Sequence, residues 1–536
     1  MPIRSLLLPA CLIVGALASV ALGQDISWDL RNYHIANVHA LLAGRLGIDL
    51  QPAGMQSYLN PALDIPYVVL GRGLLAEHPR LLAGLMGLFY GALLYLALRL
   101  AWALLPLAER PDRLLIAGAA GLAAATGAAT RSEIGTTYND LQTALPILGA
   151  LLLVLPPIRD GALGGPLAGL PWRRVLAAGA LFGIAAGFKL TNLIFAPAFC
   201  LALLLVARPV AAVALGAGFG LGWLIGLLPS AAWWWWLVWR HFESPTFPLF
   251  NGLFRSSWFP AFDLYDERFL PRTALEWLAY PFWWITAGAQ PRPAELPFRD
   301  ARFALLLLAL TGLLAALGQR VLRRRRQQPG AVWLQPDHRF LAGFVAVAYL
   351  LWLTSSAILR YAIVIEVLGT LLVALLALRL AEAAPAATRR GLRCGFVLLV
   401  CGGLIAWTRP MNWGRIPFGD KVFSVDMGWT PPGALLVAIT GPVAYVNAFV
   451  PPDRGARMLG FSFTTEIAQG LRLHTESARI VAEHPGPIFV LWAEEGHRFF
   501  PSLPKIGLAG ELGPCRRIGS NLDGGATLAC AATRLP

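Results

Sequence analysis

The feature that most limits what this chain can become is a succession of apolar runs long enough to cross a bilayer. They lie near 5–23, 82–106, 113–130, 140–157, 174–190, 191–207, 210–229, 302–318, 339–357, 361–380 and 394–409. A span needs about 20 apolar residues, and lipid-exposed backbone must satisfy its own hydrogen bonds, so helix is the default for each run. Composition agrees. Of 536 residues 57% are apolar and only 14% charged, against roughly a quarter charged in soluble domains. The expected fold class is an α-helical polytopic membrane protein with about eleven transmembrane helices. A net charge of +14 in such a chain reports anchoring to the cytoplasmic side and not a nucleic-acid partner. Lys189, Lys421 and Lys505 are the only lysines, an arginine bias that fits a GC-rich, bacterial genome.

Arginine-rich loops set the orientation. "RVLRRRRQQ" at 320–328 is the strongest marker, followed by "RRGLR" at 389–393, "ERPDR" at 109–113, Arg159 with Arg173 and Arg174, and Arg208. With the N-terminus inside and eleven spans, all of them fall in the cytoplasm. The same count places 24–81, 131–139, the turn at Lys189–Asn192, 230–301, the turn near Arg360 and the tail from 410 outside. The predicted location is a bacterial inner membrane, with the lipid bilayer as the first partner. The patch "LEWLAYPFWWITAG" at 275–288 would upset the count as a span and is read as interfacial, where Trp and Tyr prefer to sit. The first run also resembles a secretory signal ending "ALG" before Gln24.

Ionisable groups at the membrane edge are costly and need a reason. The outer face gathers Asp25, Asp29, Arg31, His34, Asp64, Glu133, Asp140, Lys189 and Arg360. Singly, each has a structural explanation: Asp140 as a helix N-cap, Arg360 as a snorkelling span end. Together on one face they point to a site. "WDLRNYHIANVHALLAGRLG" spaces Leu30, Tyr33, Val38, Leu41, Leu42 and Leu46 as an amphipathic helix lying on the outer leaflet. Lys189 sits between apolar halves, where a charge is expensive.

These pieces resemble the GT-C superfamily of polytopic membrane glycosyltransferases, which includes protein O-mannosyltransferases and aminoarabinose transferases. The acidic residue after the first span followed by "Y…GR" is similar to that superfamily's first outer loop. "YNDL" is similar to its second acidic position, and "GIAAGFKLTNLIFAP" to its "G-x-x-x-G-x-K" helix; "SPTFPLFN" and "ILRY" resemble segments of an uncharacterised bacterial branch. The likeness covers roughly residues 1–410. The Asp-Glu pair of some members is absent, since Leu30 follows Asp29; Asp29 is preferred to Asp25 because Tyr33 and the amphipathic helix follow it at the matching spacing.

The resemblance implies an inverting transferase that takes a sugar from a polyprenyl-phosphate carrier outside the cytoplasm and passes it to an acceptor glycan, lipid or protein. Asp29 and Asp140 are then the catalytic candidates, the first as base and the second orienting the acceptor or helping to hold a divalent cation. Lys189 and Arg360 are the candidates for the donor phosphate. Asp25, Arg31, Tyr33, His34, Asn60, Glu133 and Asn192 are candidates for substrate contact. No cofactor is otherwise implied. A transporter, or a cell-envelope polysaccharide polymerase or ligase, is the competing reading; against the transporter, the chain shows no repeat.

From 411 to 536 the pattern changes. "GALLVAIT", "PVAYVNAFV" and "GPIFVLWA" read as strands and "TTEIAQGLRLHTESARIVAEH" as helix, predicting a small extracytoplasmic α/β domain. Gly524 and Gly525 suit a hairpin turn between Cys515 and Cys530, which can pair as a disulfide outside the cytoplasm.

Overall fold

The computed structural model describes residues 2–105, 110–288, 292–325, 335–382, 386–439, 441–493 and 496–536. The chain is mostly helical, and each apolar run is helix over most of its length. Among the described residues five helices are long and apolar enough to cross a membrane: Pro79–Leu104, Asp140–Arg159, Pro209–Phe242, Pro336–Ser355 and Leu359–Ala381. Shorter apolar helices cover Leu6–Leu22, Leu190–Leu203, Arg302–Ala315 and Gly391–Trp407. Residues 326–328 of the arginine run and Glu109 of "ERPDR" lie outside the described residues.

Small residues let these helices approach closely. Gly183 of the Trp172–Phe188 helix lies against the Trp223 carbonyl, and Gly226 against the Ala180 carbonyl, so a Cβ at either would collide with backbone. Gly183 and Gly226, one on each helix, are thus the seam of a helix pair. The third predicted run departs from expectation: its helix stops at Ala124, and a separate short helix, Ala128–Ser132, follows. Two buried carboxylates explain the restart. Glu366 accepts hydrogen bonds from the Ala129 and Thr130 amides (2.9 and 3.0 Å) and the Thr130 hydroxyl (2.6 Å), while Asp300 accepts from the Ala128 amide (2.8 Å). Arg302, itself buried, pairs with Asp300 at 2.9 Å.

The seventh run is longer than its apolar core. Helix continues from Pro209 through a wide π turn at Leu228–Ala232 to Phe242, so the four tryptophans 233–236 are helical and not loop. Asn60 donates to two carbonyls there, Gly187 (3.0 Å) and Ser230 (2.9 Å). In the patch at 275–288, helix Ala274–Trp283 leaves Leu275 and Leu278 exposed and buries Tyr280 and Trp284, the latter against Phe303 and Trp352.

The tail folds into a five-stranded sheet in the order 457–461, 435–439, 488–492, 528–532, 515–517. The first three strands are parallel and the last two antiparallel. Cys515 and Cys530 sit opposite each other on the last pair and form a disulfide. Strand Leu435–Ile439 is buried on both faces, as a central parallel strand must be. Leu435, Val437 and Ile439 pack with Ile480 and Val481 and with Trp234 and Val238 of the long helix. Leu436 and Ala438 pack with Leu30, Ile35 and Val38 of the first loop. The sheet's core is therefore shared with residues far upstream.

Two expectations change here. "PVAYVNAFV" is a 3-10 helix over Ala444–Phe449, because both edges of the 435–439 strand are already taken by 457–461 and 488–492. The first-loop helix, Ile35–Leu42, does not lie open on a leaflet: Ile35 to Val38 are buried beneath the sheet.

Candidate functional site

Asp29 stands just before a π-helical turn, Leu30–His34, in which the Ile35 amide reaches back to the Leu30 carbonyl. Such wide turns cluster at functional sites because they bring side chains four and five residues apart onto one side. Here the Tyr33 hydroxyl donates to Asp29 Oδ2 at 3.0 Å. His34 Nδ1 lies 2.7 Å from Asp64 Oδ2, and Asp64 Oδ1 accepts from Asn139 Nδ2 at 2.7 Å. Asn139 adopts a left-handed conformation (φ 67°), which Asn tolerates better than most residues. That bend aims the next residue, Asp140, inward at the start of its long helix.

Across the cluster, Arg360 Nη1 lies 2.8 Å from Asp29 Oδ2 and 3.8 Å from Asp140 Oδ2. Its guanidinium stacks over the rings of Tyr138 (4.7 Å) and Tyr361 (5.0 Å). Lys189 Nζ pairs with Asp140 Oδ1 at 2.6 Å, donates to the Tyr138 carbonyl at 2.7 Å, and sits over Tyr361. Lys189 ends the Trp172–Phe188 helix in extended backbone, whereas Arg360 and Asp140 begin theirs. A helix ending and two helices starting place all three charges on one face of the bundle. The opposite ends hold another pair, Arg159 with Asp337.

Two carboxyls are tuned in opposite directions. Burial pushes Asp29 up, but Arg360, His34, Lys189 and the Tyr33 hydroxyl outweigh it and hold the group below its ordinary range. Glu133 accepts from the Leu141 amide at 3.1 Å, while its other oxygen is buried without a partner. Burial first, and then the neighbouring Asp140, raise it well above the carboxylate range. The surroundings thus favour the ionised form of Asp29 and the protonated form of Glu133.

The structure thus brings together Asp29, Tyr33, His34, Glu133, Asp140, Lys189 and Arg360 from segments remote in sequence. Others do not join them. Asp25 belongs to a two-residue strand paired with Arg415–Ile416 and accepts from Ser27 and from the amide and hydroxyl of Thr137. Asn60 braces the π turn at 228–232, and Asn192 donates to the Ala185 and Lys189 carbonyls. Arg31 donates to the Ile26 carbonyl at 3.1 Å. Tyr138 and Tyr361 were not singled out by sequence, although each adjoins a charged segment already marked, "YND" and "LRY". Among the described residues no group of three His, Cys, Asp or Glu side chains gathers as a metal site. No family model, curated protein or solved structure matches this chain.

Proposed function

We propose that the protein is a membrane glycosyltransferase moving a sugar from a polyprenyl-phosphate carrier to an acceptor hydroxyl on the extracytoplasmic face. The observation that carries the reading is the meeting of an ionised, partly accessible Asp29 with Arg360 and Lys189 at the ends of membrane-length helices. In the reaction the acceptor oxygen attacks the anomeric carbon, and the bond from that carbon to the phosphate oxygen breaks with inversion. The acceptor proton passes to Asp29, and polyprenyl phosphate leaves. Arg360 and Lys189 stabilise the charge that develops on the leaving phosphate. Tyr138 and Tyr361 fix the guanidinium's plane. The Cys515–Cys530 disulfide supports an oxidising compartment for the tail, and the exposed Trp236 and Trp239 suit a membrane interface.

Asp29→Asn tests this directly. A positioned base contributes roughly a hundredfold to ten-thousandfold in rate, so transfer should fall by about that factor while donor binding persists. Asp25→Asn should change transfer far less, since Asp25 serves the backbone. Normal turnover by Asp29→Asn would remove the proposed mechanism.

A further inference from the structure

Resting on the glycosyl-transfer reading, we propose that the donor switches on its own base: its phosphate draws on Arg360 and loosens that guanidinium's hold on Asp29, which then accepts protons competently only when a donor is seated. The two cations are both committed. Arg360 lies on Asp29 at 2.8 Å and Lys189 on Asp140 at 2.6 Å. Two cations thus face two aspartates, Asp29 and Asp140. An arriving phosphate adds a negative charge that can be met only by sharing these same groups.

Arg360 is the group able to share. Only Nη1 reaches the carboxylates, and its Nε is buried without a partner. A guanidinium carries five donors in a fixed fork, so an anion can engage the unspent edge. Its side chain remains 12% exposed and that of Asp29 8%, so the pair lies at the rim of the cluster and not sealed within it.

The forces on Asp29 give the direction of the switch. Facing it are Tyr33 and His34 from its own turn, with Asp64 behind His34; Tyr138 and Asp140 from the 133–140 segment, with Glu133 beyond; Lys189; and Arg360 with Tyr361. Burial is the largest single influence and favours the protonated form; Arg360 is the largest opposing one. Weakening Arg360's pull while adding an anion leaves burial in command. The carboxylate's proton affinity must rise, which is what a base operating near neutral pH requires. Without donor, Asp29 is a weak base, and acceptor hydroxyls are not activated prematurely.

The test uses the full chain in lipid nanodiscs and a sugar-free polyprenyl phosphate as probe. Infrared titration would follow the protonated-carboxyl band that Asp29→Asn abolishes, with and without probe. The expected result is a rise of at least about tenfold in Asp29's proton affinity when the probe is bound, one unit of midpoint. In Arg360→Gln the midpoint should already be high, and bound probe should raise it by much less than in the wild type. Kinetics give a check that needs no variant: the acid limb of kcat, set by the donor-bound enzyme, should lie at higher pH than that of kcat/KM for donor. A bound probe with an unmoved midpoint, or coincident limbs, overturns the switch and leaves the glycosyl-transfer reading standing. A probe that does not bind overturns both.

Discussion

Glu133 is held toward its protonated form for a local reason: it lies 2% exposed beside Asp140, where a second negative charge is unwelcome. A group whose folded pKa is raised favours the folded state at low pH and costs stability as pH rises through the folded value. Glu133→Gln keeps the neutral shape, so it should bind donor normally. It should also flatten the loss of thermal stability that the wild type shows on the alkaline side of the usual carboxylate range. Thermal unfolding of both proteins across pH checks this; identical pH profiles would mean that Glu133 is ionised in the fold. At this scale the sequence was informative where charge was expensive. Asp29, Asp140, Lys189 and Arg360 stood out because ionised groups beside apolar runs need partners, and they prove to be one another's partners. The carbonyl partners of Asn60 and Asn192 were not legible, since nothing local announces that Asn60 meets a helix break 170 residues away or that Asn192 meets the end of the preceding helix.

Among elements, the short helix Ala128–Ser132 decides where the site's acidic loop begins. Its first amides end on Glu366 and Asp300, so its position is inherited from helices that arrive more than 170 residues later. Glu366→Ala leaves two buried amides and a hydroxyl without an acceptor, at about 1–3 kcal/mol each. The expected outcome is a stability loss on the order of 2–5 kcal/mol in thermal or denaturant unfolding, with weakened donor binding because Tyr138 and Asp140 shift. Wild-type stability would show that the helix holds by itself. Apolar period and length made the long helices legible. The break at Ala125–Gly127 was not, because its cause is tertiary. The same holds for "PVAYVNAFV", whose composition suits a strand but which follows a strand already paired on both sides.

At the scale of the molecule, the tail and the first outer loop form one body. Leu50 bridges to Leu459 as an added edge beside the sheet, its amide donating to the Met458 carbonyl at 3.1 Å. Asp49 fastens it, accepting from the Met458 amide (2.7 Å) and the Asn447 amide group (2.8 Å) while paired with Arg45. Asp49→Ala breaks this join and strands Arg45, and removing one partner of a buried pair costs about 3–5 kcal/mol. The variant should therefore unfold at lower temperature and open residues 45–60 to protease, although it lies outside the charged cluster. Protection equal to wild type would mean that the two regions are only neighbours. The change in pattern near residue 410 was plain in the sequence, but not that the two sides of it share a core.

That shared core also sets a timetable. Asp49 is synthesised about 400 residues before Asn447 and Met458, the groups that hold it. At roughly 5–20 residues per second, the first loop waits some 20–80 s with Leu30, Ile35 and Val38 unburied. Until the last strands are made, the turn that carries Asp29 lacks the partners that Leu30, Ile35 and Val38 pack against. A chain cut short in synthesis is therefore left with these three apolar side chains uncovered.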